Sequence, residues 1–197
     1  MNTGKIIETK NLLLKPGNNA IDNKPFIEML RNDGNFKDFC GLPFSEKHLG
    51  MFEDYFEHSE NDQCIFSIYP KENDIFIGYV GFHREHNGYE LEFYIAKDYR
   101  RKGFCEEACI AMINELFNNG ISANGNMIIE GKLYASTLPD NVAAIALLEK
   151  IGFENQIISV DGAILVAEAL YDEENDELYD YPIKRYAMDK ECFGGSR

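Results

Sequence analysis

No run of apolar residues in the sequence approaches the roughly 20 needed to cross a bilayer, so a helical membrane span is excluded. Met1 to Lys10 is polar and mixed in charge, unlike a secretory signal, and the expected location is the cytoplasm. Basic residues are scarce: 19 Lys and Arg stand against 34 Asp and Glu, a formal net charge of -15. A partner recognised through its phosphate backbone calls for a basic face, so nucleic acid is not the expected ligand. The five cysteines, Cys40, Cys64, Cys105, Cys109 and Cys192, are odd in number and have no CxxC spacing, which fits a reducing compartment and no structural zinc.

With those classes removed, an ordinary globular composition remains: 45% hydrophobic and 27% charged residues over 197 positions, enough for one core and a single domain over 1–197. Asn11 to Lys15 reads as a strand ended by Pro16-Gly17. Helical spacing follows at Pro25 to Arg31 and again from Ser45 to Glu57, where Ser45 is a suitable N-cap and Leu49, Phe52 and Phe56 share a face. Cys64 to Tyr69 and Ile75 to Phe82 form a β-rich pair broken by Pro70, Asn73 and Asp74, and Tyr89 to Ala96 alternates as a strand with two faces. Three consecutive antiparallel strands are predicted.

From Cys105 the apolar period lengthens to three and four residues through Leu116, which marks an amphipathic helix ended by Asn118, Asn119 and Gly120. Lys132 to Thr137 is a further strand, and a second helix carries Ala144, Leu147, Leu148 and Ile151 before Gly152. Two final strands joined by the acidic stretch Asp172 to Glu177 complete the reading, with Ala163 to Leu170 open to strand or helix.

The strand ending at Ala96 feeds Arg100-Arg101-Lys102-Gly103-Phe104-Cys105 into a helix N-terminus. Unpaired backbone N–H groups and the positive end of a helix dipole make such a turn a phosphate or pyrophosphate site. Gly103 lets the backbone come close to an anion, Cys105 is small enough for tight helix packing, and three cations cluster in an acidic protein. Neither the P-loop pattern nor GxGxxG is present.

This segment resembles the pyrophosphate motif of the GNAT acetyltransferases, (Arg/Gln)-x-x-Gly-x-(Gly/Ala). Asn141-Val-Ala-Ala-Ile-Ala-Leu-Leu-Glu-Lys-Ile-Gly-Phe153 is similar to the family's second hallmark, which begins on Asn and ends on Gly-Phe. Glu8-Thr-Lys-Asn-Leu-Leu-Leu-Lys-Pro looks like the first strand of the branch containing the ribosomal-protein alanine acetyltransferases. The resemblance implies an α+β fold: a mostly antiparallel, mixed central sheet, splayed in the middle and flanked by helices. It also implies acetyl-CoA as co-substrate, no metal, and an amine acceptor, either a protein N-terminal α-amine or a small cationic amine.

By position the resemblance assigns pantetheine to the backbone of Phe93, Tyr94 and Ile95, and the pyrophosphate to Arg100, Arg101, Lys102, Gly103, Phe104 and Cys105. The resemblance also implies that Asn141 contacts the pantetheine or positions the acceptor, and the residue is a suitable helix N-cap as well. Direct attack by an amine needs a proton acceptor. Glu90 matches the family's general base, with Glu92 on the same strand face as second choice.

Two departures stand out. Cys105 replaces the usual Gly or Ala, and Leu148 stands where some relatives carry a Tyr that protonates the thiolate. With the Tyr missing, the alternative is a non-catalytic coenzyme A-binding sensor or interaction module on the same fold; transfer of a longer acyl group is a third reading, because acyl-pocket size depends on packing. His83 and His86 have HxxH spacing without a helical or finger context, so no metal is expected there. A Cys105 or Cys109 acyl intermediate lacks a visible activating base. In the family the final hairpin borders the acceptor site, which gives the acidic Asp172 to Glu177 run a role in favouring a cationic acceptor.

Overall fold

The computed structural model describes residues 5–17, 19–34, 44–50, 63–85, 88–123, 126–156, 159–160, 163–164, 167–172 and 177–194. In chain order the strands and helices are β1 (Ile7–Glu8), β2 (Leu12–Pro16), α1 (Asn19–Asn32), β3 (Gln63–Pro70), β4 (Gly78–Glu85), β5 (Gly88–Ile95) and α2 (Phe104–Asn119). They continue as β6 (Ile121–Ala123), β7 (Asn126–Ile128), β8 (Lys132–Thr137), α3 (Val142–Ile151), β9 (Glu154–Asn155), β10 (Ser159–Val160), β11 (Ala163–Ile164), β12 (Ala167–Asp172), β13 (Glu177–Pro182) and β14 (Lys184–Asp189).

Eight strands form one sheet in the order β1-β2-β3-β4-β5-β8-β14-β9. Neighbours are antiparallel except β5 and β8, which run parallel through only two pairs, Tyr89 with Leu133 and Glu90 with Tyr134. Beyond Glu90 the two strands part, while β8 stays paired to β14 through all six residues. The sheet is thus mixed, mostly antiparallel and splayed at its centre.

Each sheet face has its own cover. On one, Ala108, Cys109, Met112, Ile113 and Leu116 of α2 are fully buried among Leu12, Leu14, Phe82 and Leu91. Fully burying such a side chain contributes about 1.5–3 kcal/mol, so this helix face alone holds α2 to the sheet. On the other, Phe26, Ile27 and Leu30 of α1 pack with Leu49 on Ile65, Tyr79 and Tyr94, and the Phe26 ring sits edge-on to both tyrosines at 5.1 and 5.3 Å. Ser45 accepts from the His48 N–H at 3.0 Å at the start of helical residues 46–50, while Phe52 and Phe56 lie outside the described residues.

Several expectations shift. The second strand of the predicted pair begins at Gly78 and not Ile75. Gly78 has φ 151°, and a Cβ there would meet the Tyr94 carbonyl oxygen at 2.0 Å, so only glycine lets β4 start this close to β5. His83 lies within β4, and His86 is outside the described residues. Asp172 and Glu177, the two ends of the acidic run, are partners where β12 pairs with β13, and β14 is a separate strand beyond them. The β6–β7 pair has no counterpart among the predicted strands.

Glu107, in the first turn of α2, ties that helix to the β1–β2 turn. It accepts from the Thr9 hydroxyl at 2.6 Å, the Asn11 N–H at 2.6 Å and the Asn11 side-chain amide at 2.8 Å. Burial pushes its carboxyl up, but these hydrogen bonds outweigh it and hold the group below the ordinary value. A depressed folded value means the stabilisation is present above the unfolded pKa and is lost as pH falls through the folded one. Glu107→Gln is expected to destabilise by about 1 kcal/mol at neutral pH, discounted for its partly wet setting, with the difference from wild type shrinking under acid. Urea unfolding of both proteins at neutral and acid pH measures this.

Candidate active site

Between β5 and α2 the chain makes a 3₁₀ turn at Lys97–Tyr99 and then enters the helix through Gly103. Gly103 is the N-cap at φ 83°, ψ -4°, with no side-chain capping bond. The first intrahelical bond is from the Glu107 N–H to the Gly103 carbonyl at 3.0 Å, so the N–H groups of Phe104, Cys105 and Glu106 have no intrahelical acceptor. A Cβ on Gly103 would meet no protein atom within 4 Å. The helix entrance is open at Gly103, and donors without an intrahelical acceptor at such a start can hold an anion. Arg101, at φ 62°, is itself left-handed, a conformation that costs about 1–2 kcal/mol for a side-chain-bearing residue and that recurs at functional turns.

The three cations separate. Arg101 and Lys102 are exposed on the loop, with the Lys102 ammonium 4.9 Å from the Tyr99 ring centre. Arg100 turns inward: its Nε–H donates to the Ile95 carbonyl at 2.9 Å, and its guanidinium pairs with Asp33 at the end of α1. Asp33 also accepts from the Tyr94 hydroxyl at 2.6 Å. Burial and the adjacent Asp33 carboxylate push that phenol well above its ordinary range, which keeps it protonated. Nothing local in the sequence marks Asp33, since a polar residue past a helix end reads as surface.

Beside this loop lies the splay. Leu91 to Ile95 of β5 have no strand partner on the β8 side, so the backbone of Phe93, Tyr94 and Ile95 borders a gap. Alternation sends Leu91 and Ile95 to the α2 side, and it sends Glu90, Glu92 and Tyr94 to the α1 side.

Glu90 sits at the fork, 6% exposed, with Arg185 Nη2 of β14 at 3.7 Å from its Oε1. Burial raises its pKa most; Ser136, His83 and Arg185 pull it down, and Glu85 pushes it up again. Ser136 is close enough to act on this charge, although its Oγ falls short of hydrogen-bond geometry with any described residue. Glu92 is raised too, by burial first, against lowering by His83 and by the Tyr79 hydroxyl, which donates to its Oε2 at 3.4 Å. Both carboxyls are thus poised closer to neutral pH than ordinary glutamates, as a general base requires.

Asn141 caps α3, its Oδ1 accepting from the Ala144 N–H at 3.1 Å, and Gly152 ends the helix at φ 100°. Leu148 is 1% exposed in the core. Cys105 is half-buried; burial, reinforced by Cys105, raises the Cys109 thiol far above its ordinary value, and Cys64 is pushed up to about 12, so neither buried thiol is a ready nucleophile. Among the described residues no group of three His, Cys, Asp or Glu side chains is placed to hold a metal, and no helix is long and apolar enough to cross a membrane.

An anion cradle at a helix start, set against a sheet opened between its one parallel pair, defines a transferase of the GNAT class. Residues 11–154 match the family model described as acetyltransferase (GNAT) domain, and the chain belongs to that family and is an acetyltransferase. Its fold is similar to that of a GNAT-family acetyltransferase from Bacillus anthracis, with a TM-score of 0.66 and 18% identity over 95% of this chain and 99% of that one. It is also similar to a ribosomal α-N-protein acetyltransferase in complex with coenzyme A, with a TM-score of 0.63 and 13% identity over 94% and 98%. A third neighbour is spermidine N-acetyltransferase from Vibrio cholerae in complex with coenzyme A and spermine, with a TM-score of 0.62 and 17% identity over 93% and 98%. At these identities the likeness is one of fold. A search of curated proteins by sequence returns no match.

Proposed function

We propose that this protein transfers an acetyl group from acetyl-CoA to a primary amine by direct attack within a ternary complex. The observation that carries the reading is the buried carboxyl of Glu90 at the point where β5 and β8 part, on the strand that leads into the Gly103 turn. The pyrophosphate rests on the N–H groups of Phe104 to Glu106, with Arg101 and Lys102 adding charge. Arg100 serves indirectly, because its bond to the Ile95 carbonyl fixes the turn that aims the cradle. The pantetheine lies in the gap against Phe93, Tyr94 and Ile95, on the side of β5 where the pairing with β8 has ended.

In the chemical step the amine nitrogen attacks the thioester carbonyl carbon. Its surplus proton passes to Glu90, the C–S bond breaks, and the thiolate takes a proton from solvent, since Leu148 offers none. N–H groups near Tyr94 and Ile95 stabilise the developing oxyanion. Glu90 is preferred to Glu92 because Glu92 is held by Tyr79 on the β4 side of the fork. Asn141 acts by setting the start of α3. The acceptor is a protein N-terminal α-amine or a small cationic amine, two classes that the names of the neighbours also span. The four described cysteines are free, which supports work in a reducing compartment such as the cytoplasm.

Buried Leu148 favours the sensor alternative, in which the protein binds coenzyme A without turnover. Release of free thiol from acetyl-CoA, followed across a panel of amines and N-terminal peptides, separates the two. The enzyme reading expects release that depends on the amine. Binding of acetyl-CoA without release from any acceptor would establish the sensor.

A further inference from the structure

Four buried polar atoms have no hydrogen-bond partner among the described residues: His83 Nδ1, Glu92 Oε1, Ser136 Oγ and Arg185 Nε. They are not scattered. His83 is directly opposite Glu90 across the β4–β5 ladder, and its Nδ1 lies 3.9 Å from Glu92 Oε2. Arg185 is directly opposite Ser136 across the β14–β8 ladder, and Ser136 is two residues past Tyr134, the partner of Glu90, and so on the same face. The orphaned atoms therefore flank Glu90 on both sides of the fork. Native proteins leave few buried polar groups unmet, and a cluster of four at one place marks groups reserved for a ligand.

The chemistry of the set constrains that ligand. Arg185 Nε–H can only donate. An attacking amine directs its single lone pair at the thioester carbon, so it brings donors to Glu92 Oε1 and no acceptor for Arg185. An oxygen-free polyamine would leave Arg185 Nε–H unmet and place its other ammonium groups near a guanidinium. A carbonyl group brings acceptors only, and one oxygen can receive both Arg185 Nε–H and the Ser136 hydroxyl.

We infer that Arg185, with Ser136, is a specificity-determining residue that receives a carbonyl oxygen of the acceptor, so that the preferred acceptor carries a carbonyl group close to its amine and is not an alkyl polyamine. This rests on the transferase reading above. Arg185 is not a base or acid in the step; it selects and orients the acceptor while its Nη2 faces Glu90.

The test compares alaninamide with 1,4-diaminobutane as acceptors for the full chain with acetyl-CoA. Wild type is expected to favour alaninamide in kcat/KM. Arg185→Met is expected to lose at least tenfold more kcat/KM for alaninamide than for the diamine, chiefly through KM, the scale of one hydrogen bond from a charged donor. Any loss through the altered surroundings of Glu90 falls on both acceptors and cancels in the ratio. Arg185→Lys, which keeps the charge but not the planar fork, is expected between the two and serves if the Met variant does not fold.

Equal losses for both acceptors, or a wild type that prefers the diamine, would overturn the assignment. Calorimetric titration of the same two acceptors into the coenzyme A-loaded protein keeps the outcomes distinct. Selective alaninamide binding that Arg185→Met removes, without any thiol release, sinks the transferase reading and supports the role of Arg185. Absence of alaninamide binding overturns that role.

Discussion

Glu90→Gln lowers kcat for acetyl transfer by about 10²–10⁴-fold, the usual contribution of a positioned general base. The same substitution raises the thermal midpoint at neutral pH. The Glu90 carboxyl is raised, first by burial, above the value it has in the unfolded chain. A group raised in this way favours folding while protonated, and its contribution is lost as pH climbs through the folded pKa. At neutral pH the charge is therefore a cost of function, and an uncharged isostere relieves it.

Glu92→Gln shares the stabilising effect for the same reason but loses at least tenfold less activity, since Glu92 faces Tyr79. In wild type the acid limb of kcat/KM lies above the ordinary glutamate range near about 4.3, and Glu90→Gln abolishes that limb. Steady-state thiol release against pH, paired with thermal unfolding, reads all of these. A loss of activity accompanied by a lower midpoint would assign Glu90 a structural role instead.

Gly103→Leu is expected to weaken acetyl-CoA binding by about 100-fold or more, equivalent to losing two charge-assisted hydrogen bonds. Two effects act at this position. The left-handed φ of 83° costs a side-chain-bearing residue about 1–2 kcal/mol of stability. The new side chain also starts into open space at the helix entrance, since its Cβ meets no protein atom within 4 Å, and there it is expected to compete with an anion. Gly103→Asn separates them, because Asn tolerates the left-handed region yet still occupies that space. It should fold with nearly wild-type stability and bind acetyl-CoA poorly. Unchanged affinity in a folded Gly103→Leu variant would remove the pyrophosphate from this loop.

Local chemistry made much of this legible in the sequence. The two-residue alternation of Tyr89 to Ala96 placed Glu90 and Glu92 on one face, and the change of period at Cys105 placed the helix behind Gly103. Asn141 and Gly152 marked both ends of α3. Features that depend on distant pairing were not legible. The site's Ser136 and Arg185 come from strands that reach Glu90 only through the β5–β8–β14 order, and nothing local to either residue signals it. Asp33 draws Arg100 away from the loop where three consecutive cations looked equivalent. Ala163 to Leu170 has helical propensity, yet Ala167–Asp172 is a strand because pairing with Glu177–Pro182 outweighs a weak local preference.

A crystal structure of the chain with coenzyme A tests the central claim most directly. The pyrophosphate oxygens should accept from the N–H groups of Phe104 to Glu106, with the thiol in the gap between β5 and β8 next to Glu90. Coenzyme A bound elsewhere, or a thiol directed away from that gap, would contradict it.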